Sequence, residues 1–481
     1  MVLLLSVALA GSLDLLEVGG LWSTPTDSGP GAVWWNPGAM SAGKGTRFLV
    51  EGALVYGGLN FERRGPPNEP SWLGAERYRL VAPLPFAGVV TDAGVPGLGI
   101  GAAVFAPHAR GARSNLDPGP GRTYLREGMI DALHASLAVS YGKGPIRFGA
   151  AATVVSGAWR ARIDYETTSL TADAITDTIG GRPESHYDGS TFESSDYLAA
   201  VNFGPLRGLA ASFQAGVLIE PAPRWRIGIS YAHGSALDHR GPVVMDTPCP
   251  SSDDDALGFI AASSRGLCNT RVNADASIAY RYPSRANLGL RYQASPSTQV
   301  EALAGAVAWS QFDDFRIRIT DPRPDEGSFD DDTTERLTLD RRWARANVDS
   351  YWVGAQVNQQ VGSRLELRGR LLFDRRAVPD HAMSPNNSDA DSLHVGLLAA
   401  VRPTRKHDVA IALAYTGVFS APRVITNSAF GLAVPVAERN ADRWNWAAMN
   451  GRYATFLHRF ALSLRGAFDA PRRKGADPQV Q

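Results

Sequence analysis

Apolar side chains recur at every second position through most of this chain, and that spacing restricts the fold more than any other feature of the sequence. In HRFALSLRGAF, residues 458–468, Phe460, Leu462, Leu464 and Phe468 fall on one face, opposite Arg459, Ala461, Ser463, Arg465 and Ala467. RLELRGRLLFD sets Leu365, Leu367, Leu371 and Phe373 against Glu366, Arg368, Arg370 and Asp374. RWRIGISYA and HDVAIALAY repeat the pattern, with Trp225, Ile227, Ile229 and Tyr231 on the apolar face of the first and Val409, Ile411, Leu413 and Tyr415 on that of the second. A period of two is that of a strand with one apolar face. Fourteen such segments are expected, near 47–57, 75–87, 97–107, 128–142, 145–165, 208–220, 223–239, 272–294, 297–319, 345–360, 363–375, 390–403, 406–420 and 453–468.

The connections alternate too. GKGP, EPAP, ASPS, QQVGS and RPTRK are tight turns, whereas 58–74, 108–127, 166–207, 240–271, 320–344, 376–389 and 421–452 are long, polar and rich in Asp and Pro. A soluble sandwich has no reason to gather its long loops at one end. A closed antiparallel barrel in a bacterial outer membrane does so, with short turns on the periplasmic side and apolar residues facing lipid. Closure also pairs every backbone group where no water is present to do so. No run of about 18 apolar residues follows the N-terminus, so no spanning helix is expected. Aromatic residues near segment ends (Tyr56, Phe105, Tyr141, Trp159, Tyr165, Trp225, Tyr231, Tyr292, Trp309, Tyr415) agree with interfacial girdles.

Charge narrows the partners. The 48 basic and 48 acidic residues cancel, which argues against nucleic acid, and only four of the basic residues are lysines, all scattered. Cys249 and Cys268 share one polar stretch with no further Cys to complete a zinc site. A loop-closing disulfide in an oxidising compartment is expected, with two free thiols the alternative. Residues 1–10, MVLLLSVALA, read as an abbreviated export signal without a basic start.

Residues 11–46 are too Gly-rich for a helix, yet carry Leu13, Leu15, Leu16, Leu21, Trp22, Trp34, Trp35 and Met40 among turn-formers. Such a segment cannot build its own core, but a barrel of this size has a lumen it can plug. Asp27, then Ala32-Val33-Trp34-Trp35-Asn36-Pro37-Gly38 and a Gly-rich run into a strand, resembles the plug signature of the FadL-type outer-membrane transporters of long-chain fatty acids and other hydrophobic compounds. Residues 216–235, 299–317 (with Trp309 to Phe312) and 370–400 resemble further stretches of that family, in order. Gly38 stands where the family usually has Ala, a change expected to loosen the turn. The resemblance implies a last strand ending at Phe468, with 47–468 as the barrel; 469–481 are expected to form a disordered periplasmic tail.

Enzyme signatures dissolve on inspection. The run from Gly38 to Lys44 imitates a phosphate loop but has Gly45 where Ser or Thr belongs; Gly97, Gly99 and Gly101 imitate a dinucleotide fingerprint with no helix behind them. No G-x-S-x-G or His-Glu-x-x-His occurs, and no cofactor or metal is expected. The resemblance gives the three glycines, with Phe105, another meaning: a weakened third strand through which hydrophobic ligand leaves sideways into the bilayer. Room for the plug is the competing explanation. Trp34, Trp35, Trp309 and Phe312 are candidates to line the path. Arg226, Arg368 and Arg370 are candidates for a ligand carboxylate, although Glu366 and Asp374 share a face with the last two and offer them a structural role. The expectation is an all-β, fourteen-stranded, plugged, monomeric barrel surrounded by lipid and lipopolysaccharide, taking up long-chain fatty acids or other hydrophobic compounds without catalysis. An aqueous porin and a lipase-like barrel enzyme stay open as alternatives.

Overall fold

In a computed structural model, residues 16–64, 72–116, 119–121, 125–166, 198–247, 249, 266–312, 314–403, 408–427 and 449–468 are described. The expected export signal, 1–10, and the expected tail, 469–481, lie outside them. Strands run β1 Thr46–Arg64, β2 Trp72–Thr91, β3 Leu98–Ser114, β4 Glu127–Tyr141, β5 Ile146–Glu166, β6 Leu198–Ala222, β7 Trp225–Ala232, β8 Ala236–Thr247, β9 Thr270–Arg281 and β10 Arg285–Ser295. They continue with β11 Thr298–Val307, β12 Asp314–Pro324, β13 Leu339–Ala344, β14 Ser350–Val361, β15 Leu365–Asp374, β16 Ser392–Val401, β17 Asp408–Ser420, β18 Arg423–Ile425 and β19 Gly451–Phe468.

All belong to one sheet in which the last strand pairs with the first, from Thr46 opposite Phe468 to Arg63 opposite Gly451. Five consecutive pairs (β7 and β8, β9 and β10, β11 and β12, β13 and β14, β17 and β18) are single wall strands broken by short kinks, so the closed antiparallel barrel has fourteen strands. Alternation sorts the faces: Leu137, Leu209, Leu413 and Leu462 are well exposed outside, while Arg459, Ser463, Glu366 and Arg370 are buried inside. Strand β6 begins well before residue 208, inside the stretch expected to be loop, and a helix Asp331–Leu337 interrupts the connection after β12.

The girdle is smaller than the sequence suggests. Tyr56, Tyr141, Trp225 and Tyr231 do face outward, but Phe105, Trp159 and Trp309 are buried within. Trp309 misleads because its strand breaks there: a 3-10 turn, Trp309–Gln311, separates β11 from β12 and turns the indole inward.

Candidate functional site

Inside the wall, residues 16–45 form short turns rather than a domain of their own: Gly20–Trp22 and Pro37–Ala42 are 3-10 and Ala32–Trp35 is one helical turn. Leu16, Leu21, Trp22, Trp34, Trp35 and Met40 are all buried. A segment this short satisfies its backbone only by borrowing partners. Trp22 Nε1 donates to Ser463 Oγ of β19 at 2.7 Å, Asn36 Nδ2 to Val217 O of β6 at 2.9 Å, Gln214 Nε2 of β6 to Trp34 O at 2.8 Å, and Arg285 of β10 to the same carbonyl at 2.8 Å. Partners on β1, β6, β10, β15 and β19 surround the segment, so the tryptophans of the WWNPG motif lie in apolar surroundings within the lumen.

Three ionic anchors hold it. Arg459 of β19 pairs with Glu51 of β1 and, at 3.2 Å, with Glu17 of the segment, all three buried. Glu301 of β11 accepts from Thr24 at 3.0 Å and Thr26 at 2.7 Å and pairs with Arg291 of β10 at 3.0 Å. Arg368 pairs with Glu366 at 2.7 Å and donates to Leu21 O at 3.0 Å, while Arg370 donates to Gln356 Oε1 at 2.7 Å and Ser23 O at 2.9 Å. Two of the three arginines expected to meet a ligand carboxylate therefore serve the N-terminal segment. The third, Arg226, pairs with Glu220 at 3.0 Å near a short turn. Arg285, Arg291 and Arg459 are not among the candidate site residues the sequence offers; alternation marks them as inward, but nothing local says what faces them.

Asn36 caps the Pro37 turn by accepting Gly38 N at 3.1 Å and also donates to Pro25 O at 2.8 Å. Asp27 Oδ2 accepts Gly29 N at 3.0 Å. Gly38 does not loosen the turn: a Cβ there would lie 2.6 Å from Gly216 O and 3.0 Å from the Val217 Cα, so the glycine lets the segment press against β6.

Trp34 sits at the heart of an aromatic lining. Its ring meets Phe105 at 5.1 Å and His134 at 5.9 Å, edge to face, and the Arg285 guanidinium lies 3.3 Å from its centroid. Trp35 meets Trp352 at 6.0 Å. Further along the lumen, Phe312 contacts Trp309, Tyr280, Tyr282 and Phe315 within 6.1 Å. Trp34, Trp309 and Phe312 thus belong to one buried apolar cluster with Leu80, Leu84 and Phe86 of β2.

The wall is broken beside that lining, though not at the glycines. Strands β2 and β3 pair at Tyr78–Ser114 and Arg79–Arg113, and ladder partners resume only at Phe86–Phe105. Pro83 and Pro85 fall in the unpaired stretch of β2, and Pro107 in that of β3. Proline has no N–H for a ladder. Because β2 pairs with β1 without interruption through both of its prolines, the missing donors fall on the β3 side. Gly97 precedes β3 in a turn at φ +80°, and a Cβ at Gly99 or Gly101 would meet Met40 and Ser41 or Val33 and Met40 within 3.0 Å. Those glycines make room for the N-terminal segment; of the four residues expected to mark the portal, only Phe105 borders the gap. Cys249 and Cys268 form a disulfide at the rim, with Cα atoms 4.4 Å apart.

Comparison with family models matches residues 23–434 to one described as outer membrane protein transport protein (OMPP1/FadL/TodX). The chain belongs to the OMPP1/FadL/TodX family of outer membrane transport proteins. Among solved structures, the Pseudomonas aeruginosa FadL homologue is similar at a TM-score of 0.71 with 18% identity, covering 97% of this chain and 99% of that one. The Pseudomonas putida toluene transporter TodX matches at 0.62 with 15% identity (97% and 100% covered). The Ralstonia pickettii toluene transporter TbuX matches at 0.61 with 13% identity (96% and 99%). No curated protein matches the sequence. As a member of the OMPP1/FadL/TodX family, the protein resides in the bacterial outer membrane and transports hydrophobic compounds.

Proposed function

We propose that this chain takes up long-chain fatty acids passively: capture at the outer loops, transfer along the aromatic lumen, rearrangement of the N-terminal segment as a plug, and lateral release into the bilayer between β2 and β3. The lapse in pairing from Arg79 to Phe86 carries the reading. It lies against Leu80, Leu84 and Phe86, whose inward side chains continue the apolar lining to the wall. Physical chemistry favours a side exit, since each CH₂ of an acyl chain costs about 0.8 kcal/mol to return to water. The lumen itself argues against an aqueous porin, because buried tryptophans occupy it. Outward apolar residues on every face suit a monomer among outer-membrane lipid and lipopolysaccharide.

A second reading, aromatic hydrocarbons as cargo, draws on the edge-to-face lining and on the two toluene transporters among the similar folds. Uptake of labelled oleate and labelled toluene by cells lacking their own transporters separates the two. Expressing this chain is expected to restore oleate uptake, and Pro83→Val with Pro85→Val, which returns two ladder donors, to reduce it by about tenfold through repairing the wall. Toluene uptake without oleate uptake selects the second reading. Undiminished uptake in a folded double variant removes the lateral exit.

A further inference from the structure

Strand β2 carries Arg77 and Arg79 on its outward face, and β3 places Arg113 directly across from Arg79. Cross-strand neighbours lie roughly 5 Å apart at Cβ, and like charges so placed repel. Elsewhere on this outer surface the repulsion is answered. Arg207 faces Arg240, but Asp238 holds Arg240 at 2.7 Å; Arg316 and Arg318 share Asp340 at 2.8 and 3.2 Å. No carboxylate answers Arg77 or Arg79 among the described residues, and Arg113 has only Glu127 at 3.9 Å. Arg79 instead rests over the Phe456 ring, 5.5 Å from its centroid, and donates to Asn60 Oδ1 at 3.4 Å.

The position of this triad is specific. Phe456 packs on Tyr56, an outward aromatic at the edge of the apolar band, so Arg79 sits at the lipid–water boundary on the long-loop side. Arg79 and Arg113 are also the last paired residues above the wall gap. We propose that Arg77, Arg79 and Arg113 form a receiving site for the carboxylate of a cargo acid at the exit. This rests on the lateral-release reading above. An acyl chain leaving through the gap would lie in the outer leaflet with its head beside these guanidinium groups, so the departing carboxylate would be paired at the exit rather than left bare in apolar surroundings. The same geometry assigns the site no role for an uncharged cargo.

The test compares uptake of labelled oleate with uptake of labelled oleyl alcohol, first in cells expressing the parent chain. Arg79→Gln with Arg113→Gln is then expected to lower oleate uptake about tenfold, the scale of one lost charge-assisted hydrogen bond, and to leave the alcohol unchanged. Arg79→Lys with Arg113→Lys, which keeps the charge, is expected to restore most of it. Heat-modifiable electrophoretic mobility reports that each barrel has folded. A loss shared equally by acid and alcohol would overturn the proposal by assigning the triad to the wall or to resident lipid head groups; no loss for either would overturn it directly. If the parent imports the alcohol but no acid, or neither, the fatty acid reading itself fails, and that is seen before any variant is made.

Discussion

Arg459 shows what a single side chain decides in this molecule. Its guanidinium joins the first strand through Glu51, the last strand through its own backbone and the N-terminal segment through Glu17, all away from water. Removing one member of a buried ionic group strands the others, at about 3–5 kcal/mol. Arg459→Ala should therefore lower the urea midpoint of the detergent-solubilised protein markedly, while joint Arg459→Met, Glu51→Gln and Glu17→Gln should recover much of it. A second residue acts through pH. Asp92, in the short turn after β2, accepts from Gly94 N at 2.9 Å and from Gly45 N at 2.8 Å, and these hydrogen bonds hold its carboxyl below the usual carboxylate range. A group depressed on folding contributes above its unfolded pKa and loses that contribution as pH falls through the folded value. Protection of the Gly45 amide, measured against its intrinsic exchange rate, should thus fall only on acidification below about pH 4, and Asp92→Asn should flatten that dependence. The sequence shows Arg459 as inward-facing from period two alone. It does not show Glu17 or Glu51, because which side chains meet across a lumen depends on the curvature of the closed wall.

At the scale of elements, the strands were plainly written and their interruptions were not. RLELRGRLLFD and HRFALSLRGAF orient as their alternation says. The 3-10 turn at Trp309 and the lapse beside Pro83 and Pro85 follow from which neighbour a strand happens to pair with. The glycine row of β3 reads in sequence as a weak point, yet its lack of side chains is used for contact with the N-terminal segment. Gly101→Val would drive a branched side chain into Val33 and Met40, so it should expose the N-terminal segment to added protease. A fall in transport from that variant would report the segment and not the portal, which is why the prolines make the cleaner test.

For the whole molecule, a lumen lined by Glu51, Arg291, Glu301, Arg368 and Arg370 would be wet without its filling. The intact protein is expected to conduct little in planar bilayers, and deleting residues 16–45 to turn it into an open ion channel; unchanged conductance would mean the segment does not seal. Barrel class and strand order were legible because closure leaves a mark on every strand and turn. The ionic anchors were not, because each belongs to several strands at once. The seating of Trp22 on Ser463, 441 residues later, also sets a timetable. Synthesis and export deliver Trp22 long before Ser463, so Trp22 reaches its partner on β19 only when the final strand arrives, whatever contacts the segment has made to earlier strands. The last fastening of the segment, Trp22 on Ser463 and Glu17 on Arg459, and the closing of the wall therefore become one terminal event.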